Sequence, residues 1–147
     1  MNKAFVREPD GVSEHCPRCG SLGLAVGSAT LDARVRSDAR GLVGETAAFC
    51  PYGTCPVAYF DAFERVVTVD QLMRPVFPKD PAAPVCACFG LTVEEIEEEA
   101  RAGSVERVRS VVARAKSAEA RCVTQSASGR PCVPDVQRCY FQAAQRK

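Results

Sequence analysis

The chain has 147 residues, a formal net charge of +1 and 46% hydrophobic side chains. This allows one ordinary domain or two very small lobes, each marginal without a staple. The balanced charge gives no electrostatic case for nucleic acid or an anionic membrane. No apolar run approaches the roughly 20 residues of a membrane span, and the first ten residues lack the apolar core of a secretion signal. The expected location is therefore the cytoplasm, where thiols stay reduced.

Nine cysteines need an explanation: Cys16, Cys19, Cys50, Cys55, Cys86, Cys88, Cys122, Cys132 and Cys139. An odd count in a reducing compartment argues against a disulfide framework and for metal ligation. Short spacings divide them into two sets of four and one left over.

Residues Met1 to Glu14 read as a polar leader with a turn at Pro9-Asp10-Gly11. Cys16-Pro-Arg-Cys19-Gly20 then has the pattern of a metal knuckle, with glycine supplying the positive φ of a tight turn. Leu22–Val26 predicts a strand. For Ala29–Val35 the periodicity leaves a strand and a helical turn open. Thr46–Phe49, Val57–Phe60 and Arg65–Val69 predict further strands, with a turn at Asp61–Glu64. Cys50-Pro-Tyr-Gly-Thr-Cys55 supplies a second thiol pair. Knuckle, strands, second pair and strands make the layout of a zinc ribbon, Cys-x2-Cys-x30-Cys-x4-Cys. Cys16, Cys19, Cys50 and Cys55 are the zinc candidates. His15 is expected beside the site rather than on the metal.

Pro75, Pro78, Pro81 and Pro84 mark a stiff linker or a segment draped over the other lobe. The expected organisation is a zinc-binding β-rich lobe over 1–74, a proline-rich linker over 75–84 and a helical lobe over 85–147.

Cys86-Ala-Cys88 opens onto a helix. Thr92 and Glu95 form a capping box, and the acidic helix runs from about Val93 to Ala102, stopping at Gly103. Ser104 is expected to cap a second helix whose apolar positions are Val105, Val108, Val111, Val112 and Ala115. The two should pack as an antiparallel pair. Cys122 is expected just past that helix and Cys132 just before a third, with Pro134 in its first turn and its end near Gln145. Cys139 reads as an inward-facing structural thiol beside Val136 and Ala143.

The second set has the spacing Cys-x-Cys-x33-Cys-x9-Cys. A one-residue spacer suits two thiolates on one iron of a [2Fe–2S] cluster, with a distant pair on the other. Cys86, Cys88, Cys122 and Cys132 are the cluster candidates. Backbone N–H groups around residues 89–94 and 133–136 are expected to donate to the sulfurs.

The segment Val85-Cys-Ala-Cys-Phe-Gly90, the later cysteines ten apart around a Ser-Gly loop, and Phe49-Cys-Pro-Tyr-Gly-Thr-Cys-Pro-Val-Ala-Tyr-Phe60 together resemble the N-terminal domain of CopZ-type copper chaperones. The resemblance runs from about Cys16 to Val136. It implies one zinc ion and one [2Fe–2S] cluster, and a helical half similar to the bacterioferritin-associated ferredoxin fold. It also implies reduction of Cu(II) to Cu(I) and a separate copper-carrying module. The Met-x-Cys-x-x-Cys loop of that module does not occur in this sequence.

The expected protein is α+β, with a small zinc ribbon-like lobe packed on a helical [2Fe–2S] lobe. Its expected role is one-electron transfer in the handling of a metal, copper by the resemblance. Partners are a redox protein, a copper-carrying protein or copper ion itself, with neither nucleic acid nor membrane. No acid–base pair or nucleophile–base set suggests a self-sufficient enzyme. Two other readings are a metal- or redox-sensing interaction module and a structural scaffold holding two zinc ions.

Overall fold

The computed structural model describes residues 15–117 and 121–145. The expected leader and its turn at Pro9 lie outside these residues. Four short strands form one antiparallel sheet in chain order: β1 (Leu24–Val26), β2 (Ala47–Phe49), β3 (Val57–Phe60) and β4 (Val66–Thr68). Leu24 stands opposite Phe49, and Phe49 opposite Tyr59. Between β1 and β2 the chain forms α1 (Ser28–Arg34) and a 3-10 turn at Arg40–Leu42. Burial settles the segment that periodicity left open. Thr30, Leu31 and Arg34 fall on one face of a helix and are buried, and Leu31 joins the core under the sheet.

Each face of the sheet packs something different. On one side Val26, Phe49, Tyr59 and Val67 meet Leu31 and Val35 in the larger apolar core. On the other, Ala48, Val57 and Phe60 cluster with Cys16, Cys50 and Cys55. A register shift in β3 between Val57 and Tyr59 turns Val57 and Phe60 to the thiol side. Gly23 permits this packing, because a Cβ there would lie 2.5 Å from the Phe60 ring.

The helices are α2 (Val93–Ala102), α3 (Glu106–Ala115), the single turn α4 (Cys122–Gln125) and α5 (Val133–Gln145). The capping box forms as expected. Glu95 N–H donates to Thr92 Oγ1 at 3.2 Å, and Thr92 N–H donates to Glu95 Oε1 at 3.1 Å. The start of α3 differs from expectation. Among the described residues the Ser104 hydroxyl accepts only the Glu106 N–H, while the Arg107 and Val108 N–H groups donate to the Glu99 carboxylate at 2.7 and 2.8 Å. The α2–α3 contact is also thinner than a helical hairpin predicts. Instead α5 is the hub, packing on both α2 and α3 around Leu91, Ile96, Val108, Val111 and Val136.

The two lobes are interlocked. The segment between Cys122 and Cys132 docks on the sheet lobe, where Ala127 enters the larger core. Thr30 Oγ1 donates to the Val123 carbonyl at 2.6 Å, and α4 packs against α1. The proline-rich segment folds back over the second cysteine loop. Lys79 Nζ donates to the Tyr52 and Cys55 carbonyls at 2.7 and 3.0 Å. Among the described residues no helix is long and apolar enough to cross a membrane.

Candidate metal centres

The first cysteine pair sits on a tight backbone turn. Gly20 N–H donates to the Cys16 carbonyl and Cys16 N–H to the Ser21 carbonyl, both at 2.9 Å. Gly20 takes φ +80°, a conformation that costs glycine little and other residues more. The second pair closes the loop between β2 and β3, with Cys50 N–H donating to the Ala58 carbonyl at 2.9 Å.

These two loops bring four thiols together. The Sγ atoms of Cys16, Cys19, Cys50 and Cys55 all lie within 4.8 Å of one another. Cys16 and Cys55 are 3.9 Å apart, and Cys19 and Cys50 are 3.5 Å apart. Four sulfurs about 2.3 Å from a central zinc form a tetrahedron with edges of about 3.8 Å, so the spacing suits that ion. Cys16, Cys50 and Cys55 are buried, and Cys19 reaches the surface.

The electrostatics favour a cation here. Burial pushes the Cys50 thiol up to about 12 and raises Cys55 as well. Cys19 is drawn down to about 6, first by its hydrogen bond with Ser21. Buried thiols gathered around one point resist ionisation unless a positive ion offsets the charge they would carry. His15 forms an isolated bridge with Leu22, on the strand-like ends of the Cys16 turn.

Residues 13–73 match a family model described as a zinc binding domain, the CopZ type. Residues 13–73 are a CopZ-type zinc-binding domain. The chain is also similar to a solved structure, the X-ray structure of the Archaeoglobus fulgidus CopZ N-terminal domain. That match has 27% sequence identity and a TM-score of 0.70, and it covers 84% of this chain and 95% of that one. No curated protein matches the chain. The fold is the expected α+β class, and the CopZ-type domain places this protein in metal handling with zinc as a bound metal.

Beyond the CopZ-type domain, the second cysteine set has a different shape. Cys86 opens a turn in which Gly90 N–H donates to the Cys86 carbonyl at 2.8 Å and Cys86 N–H to the Leu91 carbonyl at 3.2 Å. Gly90 takes φ +74°. Cys122 begins α4, and Cys132 immediately precedes α5. Close sulfur contacts run between the two segments rather than within them. Cys88 and Cys122 Sγ are 3.9 Å apart, and Cys86 shares a hydrogen bond with Cys132. The Cys86-Ala-Cys88 turn thus directs its two thiols toward different neighbours, Cys88 toward Cys122 and Cys86 toward Cys132.

Backbone N–H groups converge on these sulfurs. Arg121 N–H donates to Cys88 Sγ at 3.2 Å. The Cys88 and Phe89 amides act on Cys86, and the Cys132 amide acts on Cys122. Of these donors only Phe89 lies within the expected stretches. Cys86 is drawn down to about 6, first by its hydrogen bond with Cys132, against burial and with help from the Arg114 charge. The partner thiol Cys132 is pushed up by that same bond and by burial, and burial raises Cys122. Arg114 stacks 4.2 Å from the centre of the Phe89 ring. Cys139 is half-buried against the helical core.

Sequence reasoning missed Lys79, Arg114 and the Arg121 amide. Lys79 stands among prolines, Arg114 reads as a solvated helix position, and a backbone amide leaves no mark in a residue pattern.

Proposed function

We propose that this protein is a one-electron carrier in metal handling. In this reading Cys16, Cys19, Cys50 and Cys55 hold zinc as a structural staple, and Cys86, Cys88, Cys122 and Cys132 hold a [2Fe–2S] cluster. The observation that carries the second assignment is the pairing of thiols across the two segments, with backbone N–H donors gathered around them. Two thiolates on one tetrahedral metal lie about 3.8 Å apart, so the 3.9 Å contact supports a reading with Cys88 and Cys122 on one iron and Cys86 and Cys132 on the other. A cluster held there supplies one-electron transfer. The chain's own part is to fix the four thiols, shield Cys86 and Cys132 from water and place amide dipoles and the Arg114 charge where added negative charge would reside.

The similarity to a CopZ N-terminal domain supports copper as the metal served, through a Cu(II)-to-Cu(I) step or as an accessory to a copper-carrying partner. The N-terminal lobe over 1–74, the linker over 75–84 and the helical lobe over 85–147 then divide the work into a metal-stapled scaffold and a redox unit. The working compartment is the cytoplasm.

The test is an absorption spectrum of protein purified without oxygen, with iron, sulfide and zinc assayed on the same sample. The expected result is a red-brown protein holding a two-iron cluster beside a zinc ion, bleached by Cys88→Ser or Cys122→Ser. A colourless protein that takes only zinc after anaerobic supply of iron and sulfide would overturn the electron-carrier reading.

A further inference from the structure

A cavity of about 370 Å³ lies at the seam between the lobes. Leu24, Phe49 and Arg34 come to it from the sheet lobe, Arg74 and the prolines from the connecting segment, and Cys132 and Arg138 from the helical lobe. Of the eight cysteines in the two proposed sites, only Cys132 lines it, so it is distinct from the first thiol group and borders the second at one residue.

Its charge is unbalanced. Three arginines line the cavity, Arg34, Arg74 and Arg138, with one acidic residue, Asp135. Its carboxylate is already paired with Arg138. Among the described residues no ion pair reaches Arg34 or Arg74. Arg34 is only 9% exposed, and its Nε is buried with no hydrogen-bond partner. Burial, reinforced by repulsion from Arg74, works against its charge.

A guanidinium remains charged under all ordinary conditions. A buried cation with unused donors is unfavourable by several kcal/mol unless something pairs with it. Here the same cavity wall carries a second cation that makes the position worse. An anion in the cavity reverses both effects, because it accepts from the planar N–H forks of Arg34 and Arg74 and cancels their repulsion. Ser126 and Ser128 line the same wall and offer neutral hydroxyl donors. A volume of this order admits a small molecule and excludes a macromolecule.

We propose that the cavity between the lobes is an anion-binding site, in which Arg34 and Arg74 take a small dianionic oxyanion bearing phosphate or carboxylate groups. Arg34 is the buried anchor. Arg74, exposed on the connecting segment, closes over the ligand. The site depends on neither metal assignment, because its residues are held by the fold.

The test is calorimetric titration of the full chain, as purified and in chloride buffer, with inorganic phosphate in one arm and malonate in the other. Saturable one-site binding in either arm is expected, and the arm that binds identifies the oxyanion class. Arg34→Gln should weaken it about thirtyfold or more, and Arg74→Gln should weaken it as well. Arg36→Gln, an exposed control paired with Asp38, should leave it unchanged. Arg74→Gln decides the matter if Arg34→Gln does not fold. Absence of saturable binding in both arms up to about 10 mM, or an equal loss in Arg36→Gln, would overturn the proposal and leave Arg34 served by water.

Discussion

Tyr59, at the centre of the sheet, donates its hydroxyl to the carbonyl of Ala127, 68 residues later in the loop before Cys132. Burial raises the Tyr59 pKa, so the phenol stays protonated as a donor. Tyr59→Phe removes the donor and leaves a buried carbonyl unpaired. The expected loss is about 1–3 kcal/mol, read from the denaturant midpoint. For the proposed cluster, lifetime should shorten in parallel if the loop positions Cys122 and Cys132, and an unchanged lifetime would show that α4 and α5 hold them alone.

Gly129 is the second fastening of that loop. It takes φ +71°, and a Cβ there would stand 2.7 Å from Thr30 Oγ1, the hydroxyl bonded to the Val123 carbonyl. Gly129→Ala should therefore cost about 1–3 kcal/mol, visible as a lower Tm. The double variant with Thr30→Ala should recover the part due to crowding and keep the part due to the backbone.

Asp61 gives the sheet lobe a defined acid response. Its carboxylate is nearly buried and accepts from the Gly44, Phe63 and Arg65 amides and from the Arg65 side chain. Burial opposes ionisation, but the bonds from Arg65 and Phe63 outweigh it and hold the pKa below the usual carboxylate value. A depressed folded pKa means that the unfolded chain binds the proton more readily. The stabilisation is complete above the unfolded value of about 3.9 and is lost as pH falls through the folded one. Asp61→Asn should cost about 1–3 kcal/mol at neutral pH and flatten that acid-side slope in denaturation curves taken at several pH values.

Zinc and protons compete for the four thiols of the CopZ-type domain. Because burial raises Cys50 and Cys55, most of the protons displaced on binding come from these two. Zinc affinity should fall steeply between about pH 8 and about pH 6, measured against a competing chelator. Complete chelation should unfold the sheet lobe, since Cys16, Cys50 and Cys55 are part of its second core. A domain that keeps its circular dichroism without zinc would contradict this.

Glu99 caps a helix that is not its own. Its carboxylate takes two amides at the start of α3. Glu99→Gln should lower stability by about 0.5–2 kcal/mol, with Ser104→Ala costing less.

The parts of this structure written in local sequence were legible, and those made by distant contact were not. The capping box of Thr92 and Glu95 needs only its own few residues, and helix α2 starts and stops where expected. The segment from Ala29 to Val35 is short and apolar enough for either structure, and only packing of Leu31 under the sheet chooses helix. Ser104 looked sufficient as a cap until the chain turned back and brought Glu99 within reach. The four thiols of the CopZ-type domain gather as their spacing suggests. For the second set, spacing singles out four residues but gives no sign of the contact between Cys88 and Cys122, which depends on how α4 docks on α1. Arg34 left no signal at all, since a lone arginine at a helix end is ordinarily solvated.

The turns at Cys16 and Cys86 share one backbone. In each, the glycine four residues on donates back to the first cysteine carbonyl, and the first cysteine amide donates to the carbonyl five residues on. Both glycines take a positive φ. The difference is an offset, the second thiol standing three residues along in one turn and two in the other. The two turns are thus one socket cut with two pin spacings, and a single-position shift of a cysteine, from 88 to 89, would give the second socket the pins of the first. Under the proposed assignment, what separates the two metals is where the second thiol is mounted on a common frame, and the frame itself is indifferent to that choice.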